Sequence, residues 1–229
     1  MKKEKAQKER EVPTKRLRIV QMEIPEMDEM IEAERDAHLK AAYTQMRDGA
    51  KANPEQAEWY AAWKIMLRET GETVGNIGFK GEPDDKTVEI GYGVPDRYRG
   101  QGYATEAVKA LCEWAFSKDG VYFVRAITEI GNAASERVLE TNKFKRIDGA
   151  EDGQTLWELE KPASAWMVIY MCLGLSVGMS LGLSVFDNST LGMSIGLAIG
   201  LTLGILLDGQ DKNNRVRKGD KEDEDDSSK

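Results

Sequence analysis

The 229-residue chain has one histidine, two cysteines and almost no charge in a long stretch near its end. With His38 the sole imidazole, a mechanism here must run mostly without histidine. Cys112 and Cys172 stand far apart and in neither a C-x-x-C nor a metal-ligand spacing, so no metal centre is expected and a reducing, cytoplasmic setting is the default. No apolar run opens the chain, so no cleavable signal peptide is expected. A formal charge of −8 argues against a nucleic-acid partner, because a phosphate backbone needs a basic face. Positive charge is locally dense only at the start (Lys2, Lys3, Lys5, Lys8, Arg10, Lys15, Arg16, Arg18), which reads as a solvated tail or a membrane-surface contact. Between Lys161 and Asp208 the only charged side chain is Asp187.

What is present before that gap alternates between strand and helix signals. Residues 1–15 read as a charged, flexible tail or frayed helix. "TKRLRIVQMEI" reads as a first strand and "EMDEMIEAERDAHLKAAYTQM" as one helix. "NPEQAEWYAAW" reads as a second helix, with Asn53 as its cap and Pro54 at its first position. "WKIMLRE" and "TVGNIGFKG" around "TGE" predict a hairpin, and "TVEIGYGV" a further strand. Ala104, Ala107, Val108, Leu111, Cys112 and Ala115 share one helical face. "VYFVRAITEI" predicts a buried strand, "NAASERVLETN" a helix capped by Asn132, and "FKRI" and "TLWELE" closing strands. The fold class is therefore α/β or mixed α+β, centred on a strand–loop–helix unit.

That unit is "VEIGYGVPDRYRGQGYATEAV", residues 88–108. Glycines before a helix let backbone N–H groups approach a ligand, and the helix N-terminus adds partial positive charge. Together they make an anion site suited to a pyrophosphate. A tight turn is the competing reading of the same glycines.

Arg97-x-x-Gly100-x-Gly102 followed by Tyr103-Ala104-Thr105 resembles the acetyl-CoA loop of the GNAT N-acetyltransferase superfamily. "VEIGYGV" resembles that family's central strand, and "NAASERVLETNKF" its second motif. The likeness runs over roughly residues 14–161 and is nearest to the branch that acetylates N-terminal amines of ribosomal proteins. It implies a GNAT fold with a central mixed sheet flanked by helices, and acetyl-CoA as co-substrate. It also implies that Tyr92 and Val94 offer backbone N–H groups to the pantetheine and thioester on a strand splayed by a bulge. Arg97, Arg99, Gly100, Gln101, Gly102, Tyr103, Ala104 and Thr105 would form the pyrophosphate loop, and Asn132 would meet the pantetheine arm. Glu89, on the central strand, is the candidate general base, with a structural ion pair as its alternative role. Many relatives carry a tyrosine as general acid just after the second-motif leucine. Leu139-Glu140 stands there instead, which leaves the acid unassigned, with Ser135 a weaker candidate whose alternative role is helix capping. His38 reads as a surface or packed residue, and Trp59, Tyr60 and Trp63 either line an acceptor pocket or fill the core.

The charge-poor stretch holds two segments, 165–186 and 189–207, each about long enough to cross a bilayer and broken by Asp187-Asn188. Glycine recurs every fourth residue: Gly174, Gly178, Gly182, then Gly192, Gly196, Gly200, Gly204. Ser176, Ser180 and Ser184 run offset by two, as do Ser194, Ala198 and Thr202. Such ridges of small residues let helices pack closely in lipid, and the pattern resembles glycine-zipper segments of membrane proteins. A β-hairpin with one all-small face, or a soluble helical hairpin, is the alternative. Positive charges flank the pair (Arg146, Lys161; Lys212, Arg215, Arg217, Lys218) and the turn has none, which predicts a cell-membrane location with both ends cytoplasmic.

The expected organisation is thus a tail (1–15), a GNAT acetyltransferase domain (16–162), a membrane hairpin (163–207) and an acidic disordered tail (208–229). The expected function is acetyl transfer to a primary amine, of a protein N-terminus or a small molecule, by an enzyme held at the bilayer. The alternative is a non-catalytic CoA-binding or assembly protein whose hairpin drives a membrane homo-oligomer.

Overall fold

A computed structural model describes residues 10–163, 165–185 and 187–216. The chain falls into two units, dividing between Lys161 and Pro162.

The first unit is an eight-stranded sheet: β1 (Glu11–Pro13), β2 (Leu17–Gln21), β3 (Ala62–Leu67), β4 (Thr73–Phe79), β5 (Thr87–Gly93), β6 (Phe123–Glu129), β7 (Lys145–Ile147) and β8 (Gln154–Glu160). Its order is β1-β2-β3-β4-β5-β6-β8-β7. Only β5 and β6 run parallel, which requires a crossover, and helix α3 (Tyr103–Phe116) supplies it. Helices α1 (Ile24–Ala33) and α2 (Ala37–Ala52) precede β3, and α4 (Ala133–Thr141) follows β6. The mixed α/β class expected above is the one observed.

The apolar stripe of α3 does what its spacing predicts. Ala107, Val108, Leu111, Cys112 and Ala115 are buried in one cluster with Val88, Ile90 and Val124 of the central strands. Trp59, Trp63, Phe79 and Trp114 form an aromatic knot in the same cluster, with ring centroids 5.1 to 5.8 Å apart. Trp59 and Trp63 are therefore core, and only Tyr60 of that group reaches a cleft.

Four local expectations are corrected. Residues 26–46 make two helices, because Asp36 stops the run and caps the second one, accepting from the amides of His38 (2.9 Å) and Leu39 (3.0 Å). Pro54–Trp59 is a 3-10 turn and Ala62 already belongs to β3, because Asn53 ends α2, donating to the Gly49 carbonyl, and the chain must at once pair Trp63 with Gln21. Within the presumptive tail, Glu11–Pro13 joins the sheet as β1, fastened by the Glu11–Arg18 ion pair at 2.7 Å. No register break marks β5 against β4; the sheet's irregularity lies between β3 and β4, where Ile65 pairs with Gly75 and Met66 with Thr73. Residues 1–9 of the tail lie outside the described residues.

The second unit is a helical hairpin, α5 (Trp166–Val185) and α6 (Ser189–Arg215), rather than a β-hairpin. Both helices are long and apolar enough to cross a membrane. Asp187 adopts a left-handed φ of 48° in the turn, and the Asn188 side chain caps α6 through the Leu191 amide at 3.0 Å. The buried residues of α5 are Gly178 and Gly182, and those of α6 are Gly192, Gly196, Gly200 and Gly204. A Cβ placed on Gly174, Gly178, Gly192, Gly196 or Gly200 would fall inside the backbone of the other helix, so the two main chains touch directly. The offset hydroxyls of Ser176, Ser180, Ser194 and Thr202 each bond the carbonyl four residues earlier. Helix α6 continues past 207 into the stretch expected to be an acidic tail. There Asp208 accepts from the amides of Trp166 and Met167, both at 3.1 Å, and caps α5. Residues 217–229 lie outside the described residues.

Trp63 is fully buried in the aromatic knot, its ring edge-on to Trp114. Trp63→Ala should cost the sheet unit about 3–5 kcal/mol, read as a lower urea midpoint at unchanged slope.

Candidate active site

Strand β5 has two different neighbours. Against β4 it pairs from Phe79↔Ile90 to Asn76↔Gly93, but against β6 only from Thr87↔Phe123 to Glu89↔Arg125. Beyond Glu89 the parallel partners part. The Lys80 amide donates to the Glu89 carbonyl at 3.0 Å, which sets the antiparallel alternation. Glu89, Gly91 and Gly93 therefore turn their backbone groups to β4. Tyr92, and Val94 by continuation, turn theirs to the opening left by β6.

Directly after β5 comes a short 3-10 turn, Asp96–Tyr98, then a loop with two left-handed glycines, Gly100 (φ 73°) and Gly102 (φ 77°). A Cβ on Gly100 would meet nothing within 4 Å, so backbone conformation and not space demands glycine there. Gly102 is the N-cap of α3, and no side chain caps this helix. The first-turn amides, Tyr103 to Thr105, have no carbonyl one turn back and face outward with the positive end of the helix dipole. Arg99 pairs with Asp96 (2.8 Å) and donates to the Val94 carbonyl (3.3 Å), Arg97 lies over the Tyr98 ring, and the Tyr103 hydroxyl donates to Gln101 (2.9 Å).

The loop is tied from behind. Arg16 donates to the Gln101 carbonyl at 2.9 Å and to Glu106 at 2.7 Å, and its guanidinium lies over the Tyr103 ring. Glu106 also accepts from the Thr14 hydroxyl (2.6 Å) and the Arg16 amide (2.8 Å). Burial pushes the Glu106 pKa upward, but the bonds from Thr14 and from the Arg16 amide and guanidinium outweigh it and hold the carboxyl below its ordinary range.

On the other side of the opening, Asn132 caps α4 by accepting from the Ser135 amide at 3.2 Å. The Tyr92 hydroxyl donates to the Ser135 carbonyl at 3.1 Å, linking β5 to α4. Burial pushes the Tyr92 phenol up to about 12, so it stays protonated. These elements border a cleft of 1390 Å³ that also takes in α2 and β4. Its strand floor is stripped of side chains at Gly78, Gly91 and Gly93, and Tyr43 and Met46 of α2 line it as well. Across that floor Asn76 donates to the Tyr43 hydroxyl at 2.9 Å.

Of the residues singled out in the sequence, Tyr92 and Ser135 line the cleft, whereas Glu89, Val94, the loop from Arg97 to Thr105 and Asn132 are not among its lining residues. Val94 and the loop follow β5 directly in the chain, and Asn132 caps the helix that carries Ser135. Glu89 lies on the face of β5 shared with Gly91 and Gly93, where its carboxylate pairs with Lys80; the paired oxygen accepts no aligned hydrogen bond. Ser135 is held by its backbone on both sides and does not itself cap α4. His38 is exposed and is not among the cleft-lining residues. Sequence reasoning missed Thr14, Arg16 and Glu106, which meet only through contacts about ninety positions apart, and Tyr43 and Asn76. Among the described residues no group of His, Cys, Asp and Glu is arranged to hold a metal.

Residues 16–145 match the family described as acetyltransferase (GNAT) domain. Over 86 residues the chain is 35% identical to the uncharacterized N-acetyltransferase YjdG of Bacillus subtilis strain 168, covering 37% of this chain and 51% of that one. The chain spans about half the length of most curated relatives it matches, and 82% of the uncharacterized N-acetyltransferase YnaD of the same strain at 25% identity over 140 residues, 59% of this chain. Among solved structures, a GNAT-family acetyltransferase from Bacillus anthracis superposes with a TM-score of 0.51 at 20% identity, over 66% of this chain and 98% of that one. RimL, a ribosomal L7/L12 alpha-N-protein acetyltransferase in complex with coenzyme A, superposes with a TM-score of 0.53 at 16% identity, over 67% of this chain and 99% of that one. At these identities the structural likeness is one of fold.

Because the folded-state pKa of Glu106 is depressed, its contribution to stability is present above the unfolded value of 4.5 and is lost as pH falls through the lower folded value. The melting-temperature gap between wild type and Glu106→Gln should therefore stay constant at neutral pH and close on acidification below 4.5. A gap that is flat through that range would remove Glu106 as the loop's ionised fastening.

Proposed function

The chain belongs to the GNAT acetyltransferase family, whose match covers more than half of its 229 residues, and from that premise we propose that it is an N-acetyltransferase moving an acetyl group from acetyl-CoA to a primary amine at a membrane surface. The observation that carries the reading is the parting of β5 from β6 next to an uncapped helix N-terminus. The residues present fit acetyl-CoA. Two left-handed glycines and the free first turn of α3 make a nest for a pyrophosphate, and a strand with outward-facing amides suits a pantetheine chain.

Bound acetyl-CoA supplies an activated acetyl thioester. The protein's part is to hold and polarise it. Backbone amides of Tyr92 and Val94 grip the pantetheine and stabilise the oxyanion that develops on the thioester oxygen, without titrating. Arg97, Arg99, Gly100, Gln101, Gly102, Tyr103, Ala104 and Thr105 cradle the pyrophosphate, and Asn132 meets the pantetheine arm. Glu89, whose ion-pair partner Lys80 lines the cleft, takes the amine's proton through water, with Ser135 on the far wall as a second polar group. The acceptor is a protein N-terminus or a small amine, since the cleft is roomier than a small-molecule site usually requires.

The hairpin anchors the enzyme. Its outer surface carries exposed Leu173, Val177, Leu183, Ile199 and Leu206, while its glycines are turned inward. A hairpin with basic residues at both flanks places both ends in the cytoplasm, where acetyl-CoA is made available. The second ridge of small residues supports association with another copy in the bilayer.

Acetyl-CoA at ~100 times its dissociation constant should stabilise the sheet unit by about 2.7 kcal/mol, seen as a thermal shift, and a panel of primary amines should then release free thiol. Glu89→Gln should cut turnover by about 10²-fold or more; unchanged turnover would return Glu89 to its ion pair. No shift in the folded chain would favour an assembly protein instead. Carbonate-washed membranes should retain the full chain and release one ending at Pro162.

A further inference from the structure

The family's usual acid is absent, and one phenol in the cleft, its oxygen already engaged by an amide donor, has no acceptor for its own proton among the described residues. Resting on the acetyl-transfer reading above, we propose that Tyr43 protonates the departing thiolate. Tyr43 lines the cleft from α2 and is half-buried. Its hydroxyl oxygen accepts from Asn76 Nδ2 at 2.9 Å, and its own proton has no acceptor among the described residues. Asn76 stands opposite Gly93, and its Oδ1 lies 3.5 Å from where a Gly93 Cβ would be. The phenol therefore overhangs the strand position flanked by the outward-facing amides of Tyr92 and Val94. Gly78, Gly91 and Gly93 put no side chain between.

The competing proton carriers fit less well. Lys80 is taken by Glu89, and Lys40 stands exposed on the first turns of α2. The Ser135 hydroxyl is on the opposite wall, and an aliphatic alcohol is far too weak an acid for a thiolate. A phenol, at about 10, is close to a thiol, at about 8.5. Burial raises the Tyr43 pKa, with Glu34 adding to it, so the proton is in place before reaction. The Asn76 bond acts the other way and steadies the phenolate left behind. The remaining charged groups of the cleft are Lys40, Asp48, Lys80 and Glu129.

The step balances. The neutral amine nitrogen attacks the acetyl carbonyl carbon and a C–N bond forms. The C–S bond breaks, its electron pair goes to sulfur, and the Tyr43 proton moves onto sulfur to give the thiol. The proton shed by the nitrogen passes through water to Glu89, and solvent returns a proton to the phenolate.

The test uses the full chain with tyrosines labelled at Cζ with carbon-13, signals assigned with Tyr43→Phe and Tyr103→Phe. Coenzyme A should move both the Tyr43 and the Tyr103 resonances. Desulfo-coenzyme A, which lacks the sulfur, should move Tyr103 alone. In parallel, Tyr43→Phe, checked for an unchanged melting temperature, should lower kcat by about 10²-fold and leave the KM for acetyl-CoA as it was. The proposal is overturned if coenzyme A moves Tyr103 but not Tyr43, if desulfo-coenzyme A moves Tyr43 equally, or if the variant keeps its kcat. Should coenzyme A move neither resonance, the acetyl-transfer reading itself falls and Tyr43's role with it.

Discussion

Strand β5 cannot satisfy two partners along its whole length, and that conflict organises the sheet unit. Its antiparallel bonds to β4 run to Gly93, while its parallel bonds to β6 stop at Glu89. An unpaired backbone N–H is costly when buried and useful when something else can accept from it. Here the unpaired stretch runs straight into a loop whose helix also begins without a cap. The chain thereby passes directly from one set of unpaired donors to another. The cost of leaving them open is offset by the aromatic knot and the α3 stripe, which bury the other half of β5.

Donors of this kind work only if the backbone that bears them is held still. The loop's own side chains do little of that holding, since the Arg97 stack and the Arg99–Asp96 pair lie on the surface. The restraint comes from Thr14 and Arg16 just ahead of β2, which grip Glu106 one turn into α3 and the Gln101 carbonyl before it. The segment that reads as a loose, basic tail thus ends as part of the scaffold beneath the loop.

How much of this was legible follows from how local each cause is. Alternation and helical spacing are local, so β5, α3, β6 and α4 stand where the sequence puts them, and Asn132 caps α4 as read. The glycines at 100 and 102 announce their left-handed backbone. Illegible were the features set by a distant partner. Asp36 cuts a continuous apolar period because a cap outweighs periodicity there, and Ala62-Trp63 leaves its helix-like run because β2 claims it. Glu106 and Tyr43 look like ordinary helix residues until Arg16 and Asn76 arrive from elsewhere in the chain. Glu89 stood out in sequence, yet its neighbour Lys80, one strand over, gives it a second occupation.

The two units reach tight packing by opposite means, and the difference fits the bilayer setting proposed for the second. In the sheet unit the contacts are made by large side chains, Trp63, Trp157, Phe79 and Leu111, because removing apolar surface from water is what rewards contact. In the hairpin the contact is made by having no side chain at all, backbone on backbone at Gly174 to Gly204, with the leucines and isoleucines left outside. In water that arrangement would forfeit the hydrophobic contribution of every exposed Leu and Ile. In hydrocarbon those residues lose nothing by staying out, and close van der Waals approach of the main chains is what remains to hold two helices together. The exposed serines fit the same logic, since each hydroxyl is satisfied within its own helix and asks nothing of its surroundings. A stripe of glycine is thus a poor core for the first unit and a sufficient one for the second.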